Sequence, residues 1–196
     1  MDVYPKKSNQ PIKEEELLNG YLEPSNQWYA IAKIAGMKIC EAFNNQYGFN
    51  AITLMPTNLY GPGDNYHSKN SHVLPGLIKR FYDAKINNKK KVVCWGTGNP
   101  QREFLHVDDL AEACLFTLQN WDLKNDLAPK DENGKPIPYL NVGTGKDLSI
   151  YKIAYLISEI IGYEGAICWD HSKPDGTPKK LLNIEKIQTL GWNPMI

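Results

Sequence analysis

Apolar residues recur at helical spacing through Ile31, Ile34, Ala35, Ile39, Ala42 and Phe43. The pattern predicts a helix starting near Trp28, with Ser25 or Asn26 as its cap and Gly48 as its stop. Residues 51–55 then form a short, nearly continuous apolar run closed by Pro56, as in a buried parallel strand. Helix followed by strand across a short turn is the grammar of an open α/β sheet. Further helices are predicted from about residue 73 to 84 and from Asp108 or Asp109 onward. Residues 92–95 read as a strand ended by Gly96-Thr97-Gly98, and Tyr139 to Val142 as another. Ile150, Ile153, Ala154, Ile157, Ile160 and Ile161 trace one helical stripe up to Gly162. The first 24 residues lack periodicity, carry Pro5, Pro11 and Pro24, and read as an extended lead-in and loop. Residues 120–138 are polar, with Pro129, Gly134, Pro136 and Pro138, and read as a surface loop.

Composition narrows the class. A chain of 196 residues holds one domain, or a domain and a small lobe. Lys+Arg and Asp+Glu both number 22, so the net charge is zero, which excludes a general nucleic-acid or membrane-surface binder. No apolar run approaches membrane-spanning length. The opening Met1-Asp2-Val3-Tyr4-Pro5-Lys6-Lys7 has no apolar signal-peptide core, and the expected location is the cytoplasm. Cys40, Cys94, Cys114 and Cys168 are widely separated and form no C-x-x-C, so the expectation is four single buried thiols and no metal site.

Tyr29 and Lys33 stand four residues apart, on one face of the first predicted helix. An ammonium beside a phenol favours phenolate, and such a pair can pass a proton to or from a carbonyl near neutral pH. The plainer reading is an amphipathic ring and a solvated amine. His72 sits at the mouth of a helix after a turn-rich loop, where catalytic groups concentrate. Arg102, near the Gly-Thr-Gly turn, suits a bidentate grip on phosphate. Asn141-Val142-Gly143-Thr144-Gly145 has the look of a phosphate loop, although a tight strand-to-helix turn is the commoner meaning of so short a motif. Asp108 and Asp109 suit cap and salt-bridge roles better than metal chelation, and His106 a structural role. Lys173-Pro174-Asp175-Gly176-Thr177-Pro178 reads as a rigid turn.

Taken in order, Tyr29-x-x-x-Lys33, Met55-Pro56-Thr57-Asn58-Leu59-Tyr60-Gly61-Pro62, Asn70-Ser71-His72-Val73, Arg102-Glu103-Phe104-Leu105-His106-Val107-Asp108-Asp109, the Asn141 loop and the Lys173 turn carry a family resemblance. The chain resembles the GDP-L-fucose synthases, extended short-chain dehydrogenases/reductases, over essentially its whole length. The resemblance implies an α/β fold: the C-terminal part of a Rossmann-type doubly wound sheet plus a smaller α/β substrate-binding lobe. It implies that residues 1–62 belong to the NADP-binding domain. Residues 63–196 then form mainly the substrate lobe, with a return strand to the sheet near 139–142.

The implied activity is NADPH-dependent 3,5-epimerisation and 4-reduction of GDP-4-keto-6-deoxy-D-mannose to GDP-L-fucose. A ketone acidifies its neighbours, so one acid/base pair can invert each flanking carbon through an enolate. By the resemblance, Tyr29, Lys33 and His72 are catalytic: Tyr29 protonates the carbonyl oxygen, Lys33 tunes it and binds the nicotinamide ribose, and His72 is the acid in epimerisation. Lys33, Pro56, Thr57, Asn58, Leu59 and His72 match cofactor contacts, and Arg80, Trp95, Arg102 and Asp175 match GDP-sugar contacts. The resemblance also implies a homodimer through the first helix, and neither nucleic acid nor membrane as partner. Two departures stand out. The family's N-terminal βαβ units with G-x-x-G-x-x-G precede the matched region, so the chain reads as truncated at both ends, its strand at 51–55 short of neighbours and its activity alone in doubt. The cysteine that serves the family as epimerisation base aligns with Asp2. The competing readings are another nucleotide-sugar epimerase or dehydratase, and a non-catalytic sugar-nucleotide-binding or dimerisation module.

Overall fold

The structure is a computed structural model that describes residues 2–68, 70–125 and 128–196. A turn of 3-10 helix at Glu14–Glu16 precedes α1, Gln27–Tyr47. Asn26 is the N-cap residue, and Gly48 ends the helix in the left-handed region at φ 67°. Strand β1, Thr53–Pro56, takes the apolar run two residues later than its composition suggests and includes Pro56 as its last residue. Strand β2, Asn58–Tyr60, follows at once. Helix α2, Val73–Ile86, and strand β3, Lys91–Trp95, fall where the pattern places them. Strand β4, Gln101–His106, was not expected, and it runs directly into α3, Val107–Asn120. Helix α3 is capped by His106, whose Nδ1 accepts the Asp108 N–H at 3.3 Å. Strand β5 is Tyr139–Val142, β6 is Asp147–Ser149, and α4 is Ile150–Ile161. Ser149 Oγ caps α4 by accepting the Lys152 N–H at 3.2 Å. Strands β7, Ala166–Asp170, and β8, Lys179–Lys180, precede the short α5, Glu185–Thr189.

Two compact units are interleaved along the chain. The first holds Met1–Leu59, Glu103–Lys146 and Lys180–Ile196. Its parallel pair joins β1 to β5 in the register Thr53↔Tyr139 through Pro56↔Val142. Met55, Leu140, Val142 and Leu105 from strands meet Ile34 and Met37 of α1, Ala113 of α3 and Ile187 of α5 in one core. The opening residues are not a loose lead-in. Val3, Tyr4 and Ile12 are buried in this core, and Ile12 bridges Leu182 in parallel. The physical reason is polar. Asn141 is fully buried, and its side chain accepts from the Tyr4 hydroxyl at 2.6 Å and donates to the carbonyls of Ile12 and Asn183 at 2.9 and 3.0 Å. Its backbone N–H donates to Glu14 at 2.9 Å. Burial pushes the Glu14 carboxyl up, and Lys186 offsets part of that from 3.6 Å. Residues 121–138 have neither helix nor strand among those described, yet Trp121, Ala128 and Ile137 are buried, so this segment is more than a surface loop.

The second unit holds Tyr60–Arg102 and Asp147–Lys179. Here β3 and β7 pair in parallel, Lys91↔Ala166 through Trp95↔Asp170. Burial alternates along β3: Val92 and Cys94 point inward, Val93 and Trp95 outward. Helix α2 packs on α4 and on β3, burying Leu77, Phe81 and Ala84 with Ile153, Ala154 and Ile157. Phe81 meets Tyr163 edge-on at 5.6 Å. Of the four cysteines only Cys94 is buried; Cys40 is half-buried and Cys114 and Cys168 are exposed, and none is paired.

The Asn141 network makes a measurable demand on Tyr4. Tyr4→Phe leaves the Asn141 Oδ1 buried without its donor, which costs about 1–3 kcal/mol. Urea unfolding should show a lower midpoint at unchanged slope. Equal midpoints would mean that the hydrogen bond adds no net stability.

Candidate functional site

In the first unit, α1 buries a narrow stripe of Ala30, Ile34 and Met37 and turns Tyr29 and Lys33 outward together. Tyr29 is 54% exposed, and the Lys33 ammonium lies 5.5 Å from its ring centroid. Their spacing therefore brings phenol and cation together on one accessible face. Asp2 accepts from Lys180 Nζ at 2.7 Å.

Residues 56–59 span the end of β1 and the start of β2. Both polar side chains in this stretch are already engaged. Thr57 Oγ1 and Asn58 Nδ2 donate to the Glu103 carbonyl at 3.1 and 2.8 Å. The Glu103 carboxylate turns the other way, into the Gly143-Thr144-Gly145 loop. The N–H groups of Thr144 and Gly145 both donate to its Oε1 at 2.7 Å, and the Leu182 N–H donates to Oε2 at 2.9 Å. A Cβ at position 143 would collide with this carboxylate, so the close approach requires glycine. The loop does hold an anion, but the anion is the protein's own. That supports the tight-turn reading over a phosphate loop. Burial pushes the Glu103 carboxyl up, and the three N–H donors pull it back.

Sequence reasoning missed Glu103. The available signal was phase: Glu103 and Leu105 are the two buried positions of β4, alternating as a strand does. Asp109 is likewise internal, accepting the N–H groups of Met195 and Ile196 at 3.0 and 3.2 Å. It is a structural acceptor, and no cluster able to hold a metal ion occurs among the described residues.

In the second unit, His72 is the N-cap residue of α2; it is exposed, and its side chain makes no cap bond. Its carbonyl accepts the Gly76 N–H at 2.9 Å. Arg80, two turns on, donates to the Val93 carbonyl at 2.8 Å, and its guanidinium lies 5.9 Å from the Trp95 ring. Lys173 approaches the same ring at 5.8 Å. Trp95 is thus a 64% exposed apolar plate with two cations on it, at the C-terminal end of a parallel strand. The sequence pattern gives Lys173 only a place in a turn. Asp175 ties that turn down: its two oxygens accept from the Thr97 N–H at 2.6 Å and the Thr97 hydroxyl at 2.8 Å. Arg102 is half-buried and donates to the Gln101 carbonyl at 2.7 Å. Among sequence-predicted residues the structure therefore joins Tyr29 with Lys33, and Arg80 with Trp95. Asp175 stands with Thr97 on the turn that carries Lys173.

The Asp175 latch has a defined pH window. Both bonds from Thr97 hold the carboxyl below the usual carboxylate range. A group depressed in the folded state stabilises above its unfolded pKa, about 3.9, and loses that contribution as pH falls through the folded value. The Thr97 amide should therefore titrate by NMR with a midpoint below about 3.9, and Thr97→Val should raise it. A midpoint at the ordinary value would show that the latch does not form.

The model of the NAD dependent epimerase/dehydratase family matches residues 1–128. Probable GDP-L-fucose synthase 1 of Oryza sativa subsp. japonica is 52% identical over 194 residues, covering 99% of this chain and 55% of the relative. The chain thus spans about half the length of that curated relative. A crystal structure of a GDP-6-OMe-4-keto-L-xylo-heptose reductase from C. jejuni superposes with a TM-score of 0.87 at 38% identity, covering 100% of this chain and 64% of the other. A GDP-L-fucose synthetase from Naegleria fowleri bound to NADP gives a TM-score of 0.83 at 31% identity, covering 100% and 59%. With that family model matched over more than half its residues, the chain belongs to the NAD dependent epimerase/dehydratase family.

Proposed function

We propose that this chain carries the reducing pair and the sugar-nucleotide grip of a GDP-L-fucose synthase. The reaction is NADPH-dependent 3,5-epimerisation and 4-reduction of GDP-4-keto-6-deoxy-D-mannose. The observation that carries the reading is the Tyr29–Lys33 pair, exposed on α1 in a chain half identical to a relative of that name. The residues fit the nicotinamide end of the cofactor. Lys33 offers an accessible donor, Pro56 and Leu59 offer half-buried apolar surface, and Thr57 and Asn58 make the stretch firm. The Gly143 loop does not fit a pyrophosphate, because Glu103 fills it. Bound NADPH supplies the hydride.

Tyr29 then gives its proton to the carbonyl oxygen, with the Lys33 ammonium beside its ring. His72, exposed at the start of α2, is the general acid that returns a proton to each flanking carbon after a base has taken the original one to form the enolate. Arg80, Trp95, Arg102 and Asp175 belong to the GDP-sugar side. The cations at Trp95 suit a diphosphate beside an apolar or aromatic group. Residues 1–62 serve the cofactor and 63–196 mainly the substrate. Trp28, Ile31, Ile39 and Phe43 are exposed on α1, which supports a homodimer through that helix. No helix among the described residues is long and apolar enough to cross a membrane, which is consistent with a cytoplasmic enzyme.

The test joins this chain behind the N-terminal part of the rice relative that it does not cover. Tyr29→Phe should lower NADPH oxidation by about 10²–10⁴-fold while solvent deuterium still enters beside the ketone. His72→Asn should slow deuterium entry instead. Parent-like NADPH oxidation in Tyr29→Phe would overturn the reductase assignment, and parent-like exchange in His72→Asn would make His72 structural.

A further inference from the structure

Glu103 uses both of its ends on opposite neighbours. Its carboxylate fixes β4 to the Gly143-Thr144-Gly145 loop and to Leu182, while its carbonyl is the shared acceptor for Thr57 and Asn58. Glu103 is fully buried, so the geometry is not diluted by solvent. Thr57 is buried too, and its N–H donates to the Val142 carbonyl at 3.0 Å, one residue before the loop that holds the carboxylate. Residues 56–59 are therefore anchored from two sides that Glu103 itself connects: the end of β5 and the Glu103 carbonyl.

We infer that Glu103 is a positioning residue for residues 56–59. Its carboxylate sets where β4 lies, and so where its carbonyl presents itself to Thr57 and Asn58. The inference rests on the reading of 56–59 as the surface that faces the nicotinamide. No proton moves through Glu103, and its role is purely geometric. Glutamine is the discriminating replacement. Its amide oxygen can still accept from Thr144 and Gly145, but its NH₂ group then meets the Leu182 N–H donor to donor. One end of the pin is lost with almost no change in volume. Misplacement of a reacting surface by a fraction of an ångström to an ångström is enough to cost a large factor in cofactor use.

The first measurement needs only this chain. In Glu103→Gln the Asn58 side-chain NH₂ resonances should shift, because their acceptor has moved; in Ile187→Ala, a core lesion in the same unit, they should not. The second uses the joined enzyme described above. Glu103→Gln should raise KM for NADPH about tenfold and leave KM for the GDP-sugar within about twofold, whereas Ile187→Ala should change neither ratio. If Glu103→Gln does not fold, Gly143→Ala decides, since its Cβ displaces the Glu103 carboxylate while leaving residues 56–59 unaltered. It should reproduce the selective rise in NADPH KM. Unmoved Asn58 resonances in Glu103→Gln, equal changes in both KM values, or an unchanged NADPH KM in Gly143→Ala would each overturn the inference. A joined parent without NADPH-dependent turnover would instead overturn the functional reading, and the Asn58 resonances would then judge the positioning role alone.

Discussion

A carboxylate taken out of water must find donors, and the first unit is arranged around that necessity. Removing the charge of Glu103 from solvent carries a penalty of several kcal/mol unless it is compensated. The compensation comes from backbone N–H groups 41, 42 and 79 residues away in the chain. Such donors cannot adjust independently, because each belongs to a segment with its own packing. Once Glu103 is satisfied, β4, the turn after β5 and the entry to residues 182–184 have little freedom left. The glycine at 143 follows from the same contact.

Asn141 repeats the logic with a neutral group. An amide side chain offers both acceptor and donors, and here each finds a partner from a different part of the chain. The opening fifteen or so residues are held by these bonds and by the Glu14 carboxylate as much as by Val3 and Ile12. Buried polar networks of this kind favour one arrangement strongly, since any register shift leaves several groups unpaired. The second unit is simpler. Its core is aliphatic and aromatic apart from Ser158, whose buried hydroxyl donates to the Tyr163 carbonyl at 3.1 Å, and a polar rim lies around Trp95 and the turn that bears Asp175.

Helices α1 to α4 were legible because their apolar stripes are local signals, with glycine stops marking the ends of α1 and α4; the short α5 carries no such signal and was not read. The limits of α4 at Ile150 and Gly162 could be read from spacing alone. β5 and β3 were legible as short apolar runs. β4 was not: Gln101, Arg102, Glu103 and His106 give it a polar composition, and one of its two inward positions is held by a glutamate where an apolar residue is usual. β7 follows α4 closely and mixes Cys168 and Asp170 with its apolar residues. The Tyr29–Lys33 pair could be seen because helical geometry alone joins residues four apart. Lys173 beside Trp95, Thr97 on Asp175 and Tyr4 on Asn141 could not, because each joins residues separated by 78 or more positions. Sequence pattern constrains near neighbours; these partners are chosen by the sheet.

Helix α1 also fixes how the chain behaves as a particle in solution. Trp28, Ile31, Ile39, Phe43 and Tyr47 face solvent along one helix. The chain has no net charge at neutral pH and an isoelectric point near 6.9. Molecules of this kind meet without long-range repulsion, so short-range apolar attraction governs every encounter. Colloidal stability therefore improves as the buffer moves away from neutrality in either direction. Added salt has little repulsion left to screen there, and strongly excluded salts such as sulfate strengthen the contact instead.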